Sequence, residues 1–464
     1  MATLAPWKGF VKENLLRLPI VRDTLSPELI ETCCRQAGHQ WRTSFWNPST
    51  TILTFLLQVL DGAKTLRAAV ATLLTQLAAQ GERQLPSPDP TAYCQARRRL
   101  PMPLILRLLL HLTRRMRTLV TPATGWQGRH VWVVDGSSAS MPDTPALQKA
   151  FPQPPGQKKG CGFPVAQFVA LFCWTTGAIV DVAIDTLVPH ELTLFRRLWP
   201  HFSKGDVVLG DRAYVSYVDL ARLLQRGVFG LFRLHQRRKA DFRGGRRLGH
   251  DDRLVVWCRP ERWIPSFGLS REDFAQLPQT LIVRLIRVTN VPRGFRSRTL
   301  VLATTLLDPI AAPADAIRAL YRDRWTAELN FRSLKTHLGM DILRSQSPDM
   351  VRKEIAVYLL AYNLIRLLMW QAAREHHRDL HRLSFTGTLH RLRTVWPLLV
   401  FRSQRCAAEL ARLWSQLLAW IASDPVPHRP DRFEPRRRKR RPKEYSLLQQ
   451  PRAYYRLHGD LHAR

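Results

Sequence analysis

Two short apolar runs, each ending at an aspartate, constrain the fold of this chain most strongly. Val131-Trp132-Val133-Val134 leads directly into Asp135, and Val207-Val208-Leu209-Gly210 leads directly into Asp211. Uninterrupted apolar runs of this length are typical of strands buried on both faces, as in a partly parallel sheet. Such sheets carry their functional sites at the carboxyl ends of the strands. For either aspartate alone, the start of an ordinary turn is the preferred interpretation.

A third acid, Glu328, changes that balance because it lies on a predicted amphipathic helix. A helix turns about 100° per residue, so Tyr321, Arg324, Glu328 and Lys335 fall within a sector of roughly 60°. The apolar stripe beside this sector, which would pack on the sheet, consists of Ala327, Phe331, Leu334 and Leu338. The pattern predicts a single helix that begins near Asp315 and stops at Gly339, a residue type that favours helix ends.

The three acids together indicate metal-dependent chemistry at phosphorus. Carboxylates are the ligands that Mg²⁺ and Mn²⁺ prefer in proteins. Two such ions about 4 Å apart stabilise both the attacking and the leaving oxygen of an in-line displacement. The sequence therefore predicts phosphodiester chemistry, with Asp135, Asp211 and Glu328 as the catalytic and metal-binding residues.

The overall charge points to a polyanionic substrate. The chain contains 71 Lys and Arg against 36 Asp and Glu, a formal net charge of +35. Such an excess favours nucleic acid as the partner. No lipidation signal or signal peptide is recognised, and the most apolar stretch, Ile355–Trp370, is interrupted by Asn363 and Arg366. We therefore expect no membrane partner, and we expect that stretch to be a core helix. Seven cysteines without a C-x-x-C pair argue against a zinc site or a disulfide framework, and predict a reduced, cytoplasmic protein.

The glycine-containing loop at 154–162 does not match a nucleotide-binding motif. It lacks the G-K-[ST] ending of a nucleotide-binding loop, so we expect no nucleotide cofactor. Lys158 and Lys159 in this loop are candidates for contacts with the DNA backbone, and a flexible solvated loop is equally plausible.

The order of predicted elements gives a mixed α/β fold class, with a sheet flanked by helices. We expect a first strand near Arg129–Asp135 and a hairpin of Ala166–Trp174 and Ala178–Asp185. A helix, a strand, a second helix and a fifth strand follow. The predicted regions are a helical N-terminal DNA-binding region (1–125), the first part of the core (126–234), a β-rich insertion (235–308), the second part of the core with the Glu328 helix (309–372), and a helical C-terminal region with a basic tail (373–464).

Two arginine clusters have more than one interpretation. Arg97-Arg98-Arg99 lies on a predicted helix and could grip phosphates or form an exposed solvated face, with equal weight. The tail Arg436–Arg441 is interpreted as a disordered run that raises DNA affinity in a salt-dependent way.

The residues singled out above resemble those of bacterial insertion-sequence transposases of the DDE type, which have a ribonuclease-H-like core. The resemblance is to the subgroup with a Tyr-x2-Arg-x3-Glu-x6-Lys signature and a β-strand insertion before the catalytic glutamate. The signature is complete here as Tyr321, Arg324, Glu328 and Lys335. The acid blocks correspond to Asp135-Gly136-Ser137-Ser138 and Gly210-Asp211-Arg212-Ala213-Tyr214, and the resemblance covers roughly Gln127 to Gln371.

The resemblance implies two Mg²⁺ ions held by the three acids, with Mn²⁺ as a substitute. Water would cut double-stranded DNA at the element's end, and the freed 3′-hydroxyl would then join target DNA; some members form a hairpin in between. The DNA-binding residues implied for this chemistry, beside Lys158 and Lys159, are Tyr321, Arg324, Lys335, Arg212 and Tyr214. Trp257 or Trp263 would stack a flipped base, although a core position is the preferred interpretation of each.

Synapsis of two DNA ends implies at least a dimer, working in the bacterial cytoplasm at the nucleoid. A cut-and-paste transposase is thus the leading hypothesis. The alternatives are a DNA-binding protein without catalysis and a metal-dependent nuclease without a joining step.

Overall fold

The chain folds into two compact units, each assembled from separate stretches of sequence. The computed structural model describes residues 24–458 except 64, 80, 83–84, 239, 290–298, 403–406 and 427–447. The helical unit consists of Met1–Leu119, Ala139–Ala150 and Phe331–Pro427. The sheet unit consists of Val120–Ser138, Phe151–Asn330 and His428–Arg464. The predicted basic tail, Arg436–Arg441, lies outside the described residues.

A nine-stranded sheet dominates the sheet unit. Its strands are β1 Val131–Ser140, β2 Val165–Cys173, β3 Ile179–Asp185, β4 Val207–Gly210, β5 Phe229–Arg233, β6 Arg246–Gly249, β7 Asp252–Cys258, β8 Thr280–Val288 and β9 Leu300–Thr304. Their order across the sheet is β3-β2-β1-β4-β5-β9-β8-β7-β6. Strands β1, β4 and β5 are parallel, whereas β2 and β3 form an antiparallel hairpin.

The helices follow from local sequence signals at their ends. In chain order they are α1 Pro27–Gln36, α2 Pro48–Asp61, α3 Leu66–Ala79, α4 Thr91–Arg99, α5 Met102–Thr118, α6 Pro145–Ala150, α7 Glu191–Arg197, α8 Tyr217–Gln225, α9 Arg271–Ala275, α10 Ala314–Asp323, α11 Trp325–Arg332, α12 Pro348–Glu375, α13 Phe385–Arg402, α14 Ala407–Ala422 and α15 Arg452–His458. Asn47 caps α2 and Ser216 caps α8, each by accepting a backbone N–H of the first turn.

The predicted α/β class is confirmed, because the sheet is mixed and helices flank it. The apolar run before Asp135 is buried throughout, and its Val133 pairs with Leu209 in the last parallel step between β1 and β4. One boundary differs from the prediction, since β1 continues to Ser140 rather than ending at Asp135. Asp135 therefore lies two residues beyond the parallel pairing, inside an extended strand.

The predicted β-rich insertion extends the core sheet. Strand β9 pairs with β5 through Leu231 and Thr304, and β8, β7 and β6 follow outward. The sequence predicts β-type runs in this insertion at Leu254–Trp257, Thr280–Val288 and Thr299–Thr305, which correspond to β7, β8 and β9, whereas β6 was not predicted. The polar sequence of β6 explains this miss, because Arg246 and Arg247 are exposed there and leave no apolar pattern to recognise.

The helical unit is built around α12, whose 28 residues pack on α2, α5 and α14. By length and composition this helix alone, among the described residues, could cross a membrane, yet 83% of its most apolar window is buried inside the protein. That placement agrees with the core helix predicted for Ile355–Trp370.

The three consecutive arginines of α4 have different environments. Arg97 is buried, with its guanidinium carbon 3.8 Å from the ring centre of Phe55, whereas Arg98 and Arg99 are exposed. Neither predicted interpretation holds for Arg97, because a buried cation stacked on an aromatic ring serves packing. The two interpretations stay open for Arg98 and Arg99.

Candidate active site

The predicted single helix around Glu328 is wrong in detail, because it is divided into three segments. At Arg324 the backbone tightens: its N–H donates to Tyr321 O at 3.2 Å, and Ala327 N–H donates to Arg324 O at 3.0 Å. After α11 the chain widens into a π-helix at Ser333–His337. These changes alter the angular positions on which the helical wheel was based. Lys335 consequently lies in the π turn, in the helical unit, while Tyr321, Arg324 and Glu328 lie in the sheet unit.

Asp135 has the most strongly perturbed carboxyl group of the candidate site. Burial raises its pKa to about 7, opposed by the Arg324 cation and by a hydrogen bond from Gly136 N–H. The negative charges of Asp211 and Glu328 raise this pKa further. Three acids from β1, from the loop after β4 and from α11 therefore share one electrostatic environment within the sheet unit.

Asp211 both begins a turn and contributes to the electrostatics of the candidate site. It follows β4 directly, and its Oδ1 accepts the N–H of Ala213 at 2.7 Å, as expected for an acid that begins a turn. The same carboxylate contributes to the raised pKa values of Asp135 and Tyr321. The turn fixes the position of Asp211, and its negative charge acts on Asp135 and Tyr321.

Arg324 links the tyrosine and the glutamate of the signature. Its Nη2 lies 3.0 Å from Glu328 Oε1, and its guanidinium carbon lies 6.0 Å from the ring centre of Tyr321. Burial alone would lower the pKa of Arg324, but Tyr321, Asp135 and Glu328 raise it above its ordinary value. Burial raises the pKa of Tyr321 to about 12, so this phenol stays neutral. Arg324 is thus a permanent cation among acids.

The carboxylates have the right chemistry for a hard cation, but they are not gathered as ligands. Among the described residues, no group of three or more His, Cys, Asp or Glu is close enough to hold a metal ion. One Glu328 oxygen is engaged by Arg324, which opposes its use as a ligand. The mutual repulsion at Asp135 nevertheless fits a divalent cation, since a nearby positive charge would relieve it.

Comparison with known proteins decides the family of the chain. The transposase DDE domain family matches residues 126–364, which is more than half of the chain and includes all three acids. The chain belongs to this family of transposases. It is similar to the transposase InsG for insertion sequence element IS4 of Escherichia coli, with 26% identity over 437 residues, covering 93% of this chain and 94% of the relative.

A solved structure is also similar, that of a piggyBac transposase synaptic complex with hairpin DNA. It has 9% identity and a TM-score of 0.44, covering 89% of this chain and 85% of that chain. The family and the InsG relative confirm the prediction of an insertion-sequence DDE transposase, an enzyme that acts on DNA. The narrower subgroup stays a prediction.

Two of the predicted DNA contacts of the transposase are corrected by burial. Tyr214 is fully buried and Trp257 is 9% exposed, so neither presents a ring to DNA. Trp263 is half-buried against the same core, and its indole N–H donates to Leu269 O at 2.9 Å. The core positions preferred for the tryptophans are therefore the ones observed. The short spacing between Asp211 and Tyr214 misled the prediction, because the turn directs the tyrosine inward.

Three predicted DNA-binding residues of the transposase are exposed in the sheet unit. Arg212 donates from Nη1 to Gln236 Oε1 at 2.5 Å, and Lys158 donates from Nζ to Gln450 Oε1 at 2.8 Å. Lys159 is also exposed. Their positions are compatible with backbone contacts, and the DNA role of each stays a prediction.

Sequence reasoning missed one acid of the transposase, Glu191. Its Oε2 accepts the hydroxyl hydrogen of Tyr214 at 3.3 Å, although it lies 20 residues before Asp211 in the chain. The only available signal was its place at the start of α7, directly after the cap His190. An acid in the first turn of a helix is ordinary, so that signal could not identify the residue.

Proposed function

We propose that this transposase cuts DNA at the ends of its element and joins the freed 3′-hydroxyl to target DNA, using Asp135, Asp211 and Glu328. The observation that carries this proposal is the shared electrostatic environment of the three acids. They come from elements far apart in sequence, and nothing in the packing of the sheet requires three negative charges to interact. Concentrated like charge of this kind is typical of functional sites.

The donor set suits Mg²⁺, with Mn²⁺ as a substitute. Two bound ions would activate the attacking oxygen and neutralise the leaving oxygen of the phosphodiester. Burial raises the pKa of Asp135 to about 7, so its protonated and charged forms are both populated near neutral pH. Asp135, Asp211 and Glu328 would hold the ions in their charged forms, and Glu328 would do so in place of its ion pair with Arg324.

Arg324 acquires a second task in this scheme. A guanidinium released from Glu328 is suited to hold a DNA phosphate, because its planar fork matches phosphate oxygens. Tyr321, near the end of α10, lies beside Arg324 and would help to orient it. Lys335 would add a cation to the phosphate contacts. Arg212, Lys158 and Lys159 would add contacts with the DNA backbone.

Assembly and organisation complete the proposal. Two DNA ends must be processed together, so we expect at least a dimer on double-stranded DNA. The helices of region 1–125 would bind DNA, and 126–234 with 309–372 would form the catalytic core around the insertion 235–308. The C-terminal region 373–464 would add non-specific affinity through its basic residues.

The test is cleavage of a plasmid that carries the DNA flanking the coding region. Cleavage should require Mg²⁺, stop with EDTA, and be lost in Asp135→Ala, Asp211→Ala and Glu328→Ala with end binding retained. Asp315→Ala is the matched control, because that carboxylate is 94% exposed in the same unit. Joined products would support transposition. Binding without cleavage would instead indicate a silent DNA-binding protein, and cleavage without joining would indicate a nuclease.

A further inference from the structure

Glu191 lies against the backbone immediately after the first catalytic acid. A Cβ atom placed on Gly136 would come within 2.6 Å of Glu191 Oε1 and 2.7 Å of its Cδ. Real Cβ contacts are longer than this, so a larger residue at 136 would push the Glu191 carboxylate, the flexible end of its side chain, out of this position. Gly136 therefore leaves the space that the carboxylate occupies.

The same carboxylate reaches the second acid block through Tyr214. The Tyr214 hydroxyl donates to Glu191 Oε2 at 3.3 Å, and Tyr214 N–H donates to Asp211 O at 3.3 Å. Tyr214 is fully buried, and its hydroxyl and backbone N–H thus connect Glu191 to the backbone of Asp211.

The helix that carries Glu191 is firmly held. Arg196 binds both oxygens of Asp219, at 2.7 and 3.0 Å, and joins α7 to α8. The ring of Phe195 packs edge-on against Tyr214, with 5.4 Å between ring centres. These contacts restrict both partners of the Glu191–Tyr214 hydrogen bond. Within the described part of the chain, Glu191 forms no ion pair; its carboxylate accepts the Tyr214 hydroxyl and lies beside Gly136.

We propose that Glu191 is a positioning residue of the transposase: through its hydrogen bond with Tyr214 and its packing beside Gly136, it sets the separation of Asp135 and Asp211 for a divalent cation. The proposal rests on the function proposed above, because it takes the two aspartates as metal ligands. It explains why Tyr214 is buried rather than presented to DNA. It assigns Gly136 a defined role, which is to leave room for the Glu191 carboxylate.

The test is a titration of the full chain with MgCl₂ in the absence of DNA. Binding is monitored by the change in the thermal unfolding temperature. Partners that orient metal ligands typically contribute about 10- to 100-fold in metal affinity. Glu191→Ala and Tyr214→Phe should each raise the half-maximal Mg²⁺ concentration by about 10-fold. Glu191→Gln should stay within about 3-fold of the wild type, because its amide oxygen still accepts the tyrosine hydrogen.

Two further variants examine whether the contacts form one network. The double variant Glu191→Ala/Tyr214→Phe should be no worse than either single variant, since both remove the same link. Gly136→Ala should also raise the half-maximal Mg²⁺ concentration, because the added methyl group displaces the Glu191 carboxylate. Glu272→Ala, which removes an exposed carboxylate of α9, is the control and should leave the half-maximal Mg²⁺ concentration unchanged.

Several outcomes would overturn the proposal. An unchanged half-maximal Mg²⁺ concentration in Tyr214→Phe would do so even if Glu191→Ala fails to fold, because the phenylalanine ring preserves the packing. Additive effects of the two single variants, or Glu191→Gln as severe as Glu191→Ala, would also reject positioning through the hydrogen bond. Asp135→Asn and Asp211→Asn separate this inference from the proposed function. If they keep the Mg²⁺ response, the proposed site has failed. If they lose it while the Glu191 and Tyr214 variants behave as wild type, only this inference has failed.

Discussion

Asp135 and Asp252 lie on strands of the same sheet, yet their charged neighbours differ. Asp252 is 5% exposed and meets Arg284, which is fully buried and binds both carboxylate oxygens. Asp135 instead shares its surroundings with Asp211 and Glu328, while Arg324 is bound to Glu328. Asp252 belongs to an ion pair whose charges cancel, whereas Asp135 lies beside two further acids and one cation. A closed ion pair is typical of a structural acid and clustered acids are typical of a functional site, so the proposed role falls on Asp135.

Removing the charge of Asp135 should have the largest effect on activity. We expect Asp135→Asn to reduce DNA cleavage by at least about 10³-fold, since several kcal/mol of transition-state stabilisation would be lost. End binding should change little, because it depends mainly on phosphate contacts. Single-turnover cleavage and gel-shift measurements would check both. Cleavage within about 10-fold of the wild type would remove Asp135 from the proposed site.

Breaking the Asp252–Arg284 pair should have the largest effect on stability. Arg284 also donates to the carbonyl oxygens of Leu306, Asp308 and Ala312, so it ties β8 to the segment before α10. Arg284→Met should lower the free energy of unfolding by about 3–5 kcal/mol, because Asp252 would be left buried without a partner. Urea unfolding measures this, with the exposed Arg246→Met as control. A loss below about 1 kcal/mol would contradict the structural role.

The pH dependence of stability should distinguish Asp135 from an ordinary acid. Its pKa is raised to about 7, so the folded protein binds this proton more tightly than the unfolded chain does. The contribution of Asp135 to the free energy of unfolding therefore falls as pH rises from about 4 to 7 in EDTA, and Asp135→Asn removes that contribution. Relative to wild type, Asp135→Asn should gain roughly 1–3 kcal/mol between about pH 5 and pH 8. The exposed Glu261→Gln is the control, and a pH-independent difference for Asp135→Asn would contradict the raised pKa.

The smallest effect is expected for Lys335, a single cation on the DNA-binding side of the comparison. Arg284 is fully buried, whereas Lys335 is half-buried in the π turn. Lys335→Ala should weaken end binding and reduce the slope of log K against log salt by about 1, as for the loss of one phosphate contact. Binding isotherms at several salt concentrations would show this, with Lys335→Arg as the charge-preserving control. An unchanged slope would exclude Lys335 from the phosphate contacts.

Local patterns were sufficient for most elements of the core. The runs ending at Asp135 and Asp211, the hairpin around Thr175-Thr176-Gly177 and the helix that begins at Glu191 were all predictable, because short-range periodicity and turn residues encode them. The division of the Glu328 helix was not predictable. Its hydrogen bonds at Arg324 depart from helical spacing without a proline or glycine to announce the change.

The amino-acid sequence by itself determined that two acids follow apolar strand sequences and that a third acid lies on a helix. It also determined, through the net charge, that the partner of the chain is a polyanion. Both conclusions depend on composition and on neighbours in the chain. Only the tertiary structure decided that Arg324 binds Glu328, that Tyr214 is buried, and that the Glu191 carboxylate lies beside Gly136. Each of these depends on which side chains packing brings together and on how much water it excludes. A one-dimensional pattern does not encode those distances, so the neighbours of each charge were settled only in the folded chain.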